Sequence, residues 1–249
     1  MMDTASPLSS SLTRPSLVTL PVECRQAILT YLPDVSSLGS TILSHSSLYT
    51  AFLGYKDFII KCVLYTLVSS DLLAEACLVL ELSQVKIRTR EQVLDALARY
   101  RRRYVPLEWT LKDAFFIERL HRSIDYFTRD FARTALSQHP LTNVAEEPSP
   151  VSPAEWHRIA RSFYWYEHYT RLFYQRHRKH EGNRHFPRFR RNDQFLIFLK
   201  RFSTEELEQL ACVGEYLYRE LSKREIPCHL PRQRSTAYAP FSVQRSCRT

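Results

Sequence analysis

The chain of 249 residues reads as an all-α protein, and three observations carry that reading. Glycine occurs only four times, and no Asn-Gly or Asp-Gly pair is present, so the residues that tight hairpins draw on are missing. Apolar side chains recur at i, i+3 and i+4 along most of the chain, which is the period of a helix with one buried stripe. Several of those stripes follow a Ser or Thr with Glu or Gln three residues later, a pairing that satisfies free N–H groups at a helix start.

The elements follow in order. Residues 1–18 are polar and Ser/Thr-rich, with too little apolar surface to offset the entropy of ordering, and are expected to be a disordered leader. Pro21 suits the first turn of a helix, where a missing N–H costs nothing. Val22, Ala27, Ile28 and Leu32 then mark a short helix ending before Pro33. Asp34 is a good N-cap for a second helix with Val35, Leu38, Ile42 and Leu43 on its apolar face. Gly39 is expected to weaken that helix by up to about 1 kcal/mol relative to Ala. Tyr49, Phe52 and Leu53 belong to a third segment punctuated by Gly54. Phe58, Ile59, Cys62, Val63 and Leu67 form the stripe of a fourth.

Asp71 opens a run through Leu80 and Leu82. Thr89 and Gln92 make a capping box ahead of Val93, Leu94 and Leu97. Residues 107–136, with Trp109, Phe115, Phe116, Leu120, Ile124, Phe127 and Phe131, form one long helix or two with a kink. The stretch 139–152 holds three prolines and two adjacent glutamates and reads as a loop. Ser152, Pro153 and Glu155 combine cap, N1 proline and capping-box acid, and Trp156 to Phe173 follow at helical spacing over more than half a circumference, as in a helix packed on both sides. A second loop spans 179–191, Phe195 to Phe202 reads as a short helix, and Ser203 with Glu206 starts a last helix running to about Arg224. No internal repeat period is present.

Hydrophobic residues at 44% and charged residues at 24% are the balance of a folded protein, with disorder confined to the ends. The net charge of +9 favours an acidic partner: nucleic acid, an acidic protein face or anionic lipid. Six cysteines without a CxxC pair or regular spacing read as free thiols of an intracellular protein, cytoplasmic or nuclear. No run approaches the roughly 18 apolar residues that span a bilayer, and no secretory signal is recognisable.

A unit of about 35 residues is too small to close a self-sufficient core without help. The apolar positions between 20 and 53 exceed what two or three short helices can cover between themselves. The surplus must meet either later parts of the chain or another protein. In this segment Leu20-Pro21-Val22-Glu23, Ile28-Leu29, Leu32-Pro33-Asp34, Ser37-Leu38 and Leu43-Ser44 resemble the F-box pattern in order and nearly in spacing. The continuation Ser47-Leu48-Tyr49-Thr50-Ala51-Phe52 resembles the form common in fungal F-box-like proteins. The resemblance covers about 35 residues and implies a helical trio that docks on a Skp-type adaptor, and through it on a cullin scaffold. It assigns that contact to Leu20, Pro21, Ile28, Leu29, Leu32, Leu38 and Leu43, shared between the partner and the module's own core. The other reading of the same residues is a first helical hairpin docked inside one α-domain.

The organisation expected is therefore a leader at 1–18, an F-box-like module at 19–54, a helical domain at 55–225 that recruits an unknown protein substrate, and a basic disordered tail at 226–249. A second partner class is suggested by 171–191, where Arg176, Arg178, Lys179, Arg184, Arg188, Arg190 and Arg191 alternate with Phe173, Tyr174, Phe186 and Phe189. Arginines that neutralise phosphates beside aromatics that stack on bases are the composition of a single-strand nucleic-acid surface; the plainer reading is arginine stems lying over an aromatic core. Histidines 168, 177, 180 and 185 lack cysteines at ligand spacing and read as surface residues, so no metal is expected. No nucleophile elbow, phosphate loop or His-Glu-x-x-His helix occurs. Glu118 and His121 read as a surface pair on one helix face. Neither catalysis nor a cofactor is expected.

Overall fold

The computed structural model describes residues 16–84, 90–101, 105–135, 150–173 and 189–223. Among these are ten α-helices and no strand, so the chain is all-α. It divides into two compact units. The first comprises the chain up to Leu73 together with Val105–Arg119, and the second comprises Ala74–Tyr104 and the chain from Leu120 onward. The expected boundary after residue 54 is thus displaced: 55–73 and a later return of the chain belong with the N-terminal helices.

In the first unit a 3₁₀ turn over Leu17–Thr19 leads into α1 (Val22–Thr30), α2 (Val35–Ser44), α3 (Ser46–Gly54) and α4 (Lys56–Leu67). Pro21 is the N-cap of α1 and not its first helical residue; its carbonyl accepts the first helical bond from the Arg25 N–H at 3.2 Å. Asp34 caps α2 as expected, its Oδ1 accepting from the Ser37 N–H at 2.6 Å. His45 separates α2 from α3 by adopting an extended backbone, and its Nδ1 accepts from the Ser47 N–H at 3.1 Å. Leu29, Val35, Leu38, Ile42, Leu48, Phe52, Ile59, Ile60, Val63 and Leu64 are buried. In α4 the buried stripe is offset from the expected one: Ile60 and Leu64 are inside while Phe58 is exposed.

Residues 105–119 complete this core. Trp109, Ala114 and Ile117 are buried, and the Trp109 N–H donates to Asp57 Oδ1 at 2.6 Å. Thr110 caps α7 (Leu111–Ala135) through its Oγ1, which accepts from the Asp113 N–H at 3.1 Å. The aromatic-rich stretch is therefore one helix of 25 residues, with Trp109 ahead of it. Gly39, expected only to weaken α2, is buried, and a Cβ there would lie 3.0 Å from Phe115 Cζ. It allows the ring to approach the α2 backbone.

The second unit holds most of α5 (Ser70–Gln84), α6 (Arg90–Arg101), the remainder of α7, α8 (Pro153–Phe173), α9 (Arg191–Ile197) and α10 (Thr204–Lys223). Thr89, half of the expected capping box of α6, lies outside the described residues, as do most of both loops and the tail beyond Lys223. Ser152 and Glu155 form the expected box: the Glu155 N–H donates to Ser152 Oγ and the Ser152 N–H to Glu155 Oε2. Ser203 and Glu206 repeat that arrangement at the start of α10. The helix expected over 195–202 instead starts at Arg191 and breaks at Phe198 into a 3₁₀ turn over Leu199–Arg201. That break lets Ile197, Phe198 and Leu199 all enter a core with Leu82, Leu97, Trp165, Leu172 and Phe189. Phe127, Phe131, Phe163 and Tyr216 form a second aromatic group, with ring centroids 5.3 to 6.1 Å apart.

Candidate docking face

Helix α1 is turned the opposite way from an ordinary surface helix. Its polar Arg25 and Gln26 face inward, where Arg25 Nη1 donates to the Ser47 carbonyl and Gln26 Nε2 to the Ala51 carbonyl, both at 3.0 Å. Leu29 is its one buried residue. The outward face carries Cys24, Ala27, Ile28 and Tyr31, all exposed, at the i, i+3, i+4, i+7 spacing that normally marks a core stripe. Tyr31 is 85% exposed and Ile28 38%. Pro21 and Val22 extend this apolar surface at the start of the helix.

Of the seven residues expected at a partner contact, Pro21, Ile28 and Leu43 are exposed, Leu20 and Leu32 are half-buried, and Leu29 and Leu38 lie wholly within the first unit. The last two, which the resemblance left shared between the partner and the module's own core, are fully buried. Leu43, 82% exposed, borders an open apolar cleft of about 390 Å³ with Gly39, Ser40, Tyr49, Leu111 and Phe115. Sequence reading missed Tyr31 and this cleft. The first was signalled by its helical spacing from Cys24, Ala27 and Ile28. The second had no local signal, because its far wall comes from a segment some seventy residues downstream.

The basic stretch is only partly visible. Arg176, Arg178, Lys179, Arg184 and Arg188, with Tyr174 and Phe186, lie outside the described residues. Arg190 and Arg191 are exposed at the start of α9. Phe173 and Phe189, expected among base-stacking rings, are buried and pack on one another at 5.4 Å. Their apolar surface is consumed by the core.

Three expected surface positions are also corrected. His168 is fully buried, because α8 packs along the side that carries it. Glu118 and His121 are buried too and serve separate units: Glu118 Oε2 accepts from Ser36 Oγ at 2.9 Å in the first, and His121 Nδ1 lies 3.0 Å from the Tyr164 hydroxyl in the second. Burial pulls the His121 imidazole below its ordinary pKa. Among the described residues no group of His, Cys, Asp and Glu could hold a metal ion, and no single helix is long and apolar enough to cross a membrane. Cys24, Cys62, Cys77 and Cys212 are free thiols. Set against protein-family models, curated proteins and solved structures, the chain matches none.

Proposed function

We propose that the chain is a non-enzymatic adaptor of the F-box kind, whose first unit docks on a Skp-type adaptor and thereby on a cullin scaffold, while the second unit recruits a protein for ubiquitination. The observation that carries this reading is the orientation of α1. An amphipathic helix buries its apolar stripe when the fold permits, because each large apolar side chain removed from water stabilises by about 1.5–3 kcal/mol. Here that stripe faces solvent, and the polar side is satisfied inside by the α3 carbonyls. A second protein laid against Cys24, Ala27, Ile28 and Tyr31 would gain the burial that folding leaves unused. The resemblance to the F-box pattern assigns the contact to the same helix, through Pro21 and Ile28.

The test uses the full chain and a purified Skp-type adaptor. Ile28→Asp with Tyr31→Asp places two charges on an exposed face, so the unfolding midpoint should hardly change. Binding should weaken by at least about 2 kcal/mol, roughly thirtyfold, as for loss of a hot-spot pair. If the wild type does not bind, or the variant binds equally well, the adaptor reading fails.

A further inference from the structure

The second unit encloses a polar group that the docking function does not use. Glu75 on α5 is 5% exposed and His168 on α8 is fully buried. The Tyr100 hydroxyl, from α6, lies 2.7 and 2.8 Å from the two carboxylate oxygens and donates to them. His168 Nε2 lies 2.9 Å from the Glu75 main-chain carbonyl. A carbonyl only accepts, so Nε2 carries a hydrogen. The other nitrogen, Nδ1, has no hydrogen-bond partner and faces Glu75 Oε2 at 3.7 Å.

With Glu75 ionised and His168 neutral, two lone pairs would oppose each other in a site closed to water. One proton on either atom turns that opposition into donor and acceptor. Arg201 does not supply the missing hydrogen. Its guanidinium lies over the rings of Phe198, Phe202 and Tyr100 at 4.2, 4.7 and 5.0 Å, and none of its nitrogens has a hydrogen-bond partner. We infer that Glu75 and His168 hold a single proton between them, forming a clasp between α5 and α8 that a rise in pH releases.

The surroundings favour one proton and refuse a second. Burial raises the Glu75 carboxyl above its usual range, against the opposing pull of Tyr100, Arg201, Arg161 and the Trp165 indole. Burial, together with repulsion from Arg201 and Arg171, brings the His168 imidazole down to about 3 in spite of its bond to the Glu75 carbonyl. Tyr100, Tyr164 and Cys77 are all raised, first by burial, so none of them titrates near neutrality. In the unfolded chain the two groups regain ordinary values of 4.5 and 6.5. They then bind two protons in acid, one between those values and none above 6.5. The folded pair keeps one from about pH 3, where His168 takes a second, up to a pH above 6.5, where the clasp opens. Stability is therefore greatest between 4.5 and 6.5, falls in acid because the unfolded state binds more protons, and falls above 6.5 because it binds fewer.

The experiment compares thermal unfolding of the full wild-type chain and Glu75→Gln across pH. Glutamine imitates the protonated carboxyl and carries a permanent N–H. The wild-type midpoint should fall by roughly 3–5 °C per pH unit above 6.5, the slope of one linked proton in a chain of this size, and the variant should stay level there. The infrared band of a protonated carboxyl should be present in the wild type at pH 6.5 and absent from the variant. An equal slope in both proteins, or no such band in the wild type, overturns the inference. If Glu75→Gln does not fold, the wild-type band decides alone. It must persist while the midpoint falls and disappear only at the higher pH where the fall levels off, and a band that is absent at pH 6.5 or unresponsive at that higher pH overturns the inference equally.

Discussion

Ile28 and Leu29 are sequence neighbours of the same composition with opposite fates. One side chain faces solvent and the other is enclosed by the first unit. Both belong to the motif that suggested docking, and nothing in the motif tells them apart. Truncation should do so. Leu29→Ala removes a fully packed side chain and is expected to destabilise by about 2–5 kcal/mol, whereas Ile28→Ala should stay within about 0.5 kcal/mol. Denaturant titration of the two variants checks the contrast, and equal losses would mean that α1 is oriented differently. Gly39 makes the same point. By helical propensity it is a weak residue, yet it allows the Phe115 ring against α2. The partner lies far along the chain, out of reach of any local reading. His168 also read as a surface residue from its basic neighbourhood, and only the packing of α8 places it inside.

At the scale of elements, starts were more legible than destinations. The caps of α2, α8 and α10 were readable because each is a bond between residues three apart. The break after Ile197 was not, because it answers to the core around Phe198. The return of 105–119 to the first unit was equally hidden. It implies that the proposed docking face depends on residues outside 20–53. Trp109→Ala is expected to destabilise the first unit by about 3–5 kcal/mol and to abolish adaptor binding with the whole motif intact; binding assays alongside unfolding curves measure both. In the second unit the Tyr216 hydroxyl donates to Asp130 Oδ2 at 2.5 Å. That bond is the main reason the Asp130 carboxyl is held below its ordinary value of 3.8, with Arg133 assisting. A depressed carboxyl stabilises the fold above its unfolded pKa and loses that contribution as pH falls. The stability difference between wild type and Tyr216→Phe should therefore be largest near neutrality and shrink below pH 3.8. A difference that persists unchanged in acid would exclude the carboxylate as the partner.

For the whole molecule, the net charge of +9 is not spread over the helices. The described helices mix acids and bases nearly evenly, and the excess lies in segments outside them, among them Arg176, Arg178, Lys179, Arg184, Arg188, Arg232, Arg234, Arg245 and Arg248. Two kinds of contact should then be separable. Retention on single-stranded nucleic acid, if it rests on these side chains, should weaken steeply with salt and be lost when Arg176, Arg178, Lys179, Arg184 and Arg188 are replaced by Gln. The proposed adaptor binding through α1 would be an apolar contact and should be unaffected by those replacements. Column retention at two salt concentrations, read with adaptor affinity, checks the separation. Retention that survives the replacements would place any nucleic-acid contact elsewhere.

Sequence alone determined the all-α class, the starts of α2, α8 and α10, the absence of recognisable catalytic motifs and the surplus of apolar residues near the N-terminus. These are properties of spacing and composition within one turn or one helix. Tertiary structure decided which of the surplus residues remain outside, which histidine is enclosed, and that 105–119 joins the first unit. The physical reason is common to all three. A helical stripe specifies that a face is apolar, but whether that face meets water or core depends on what distant segments bring against it.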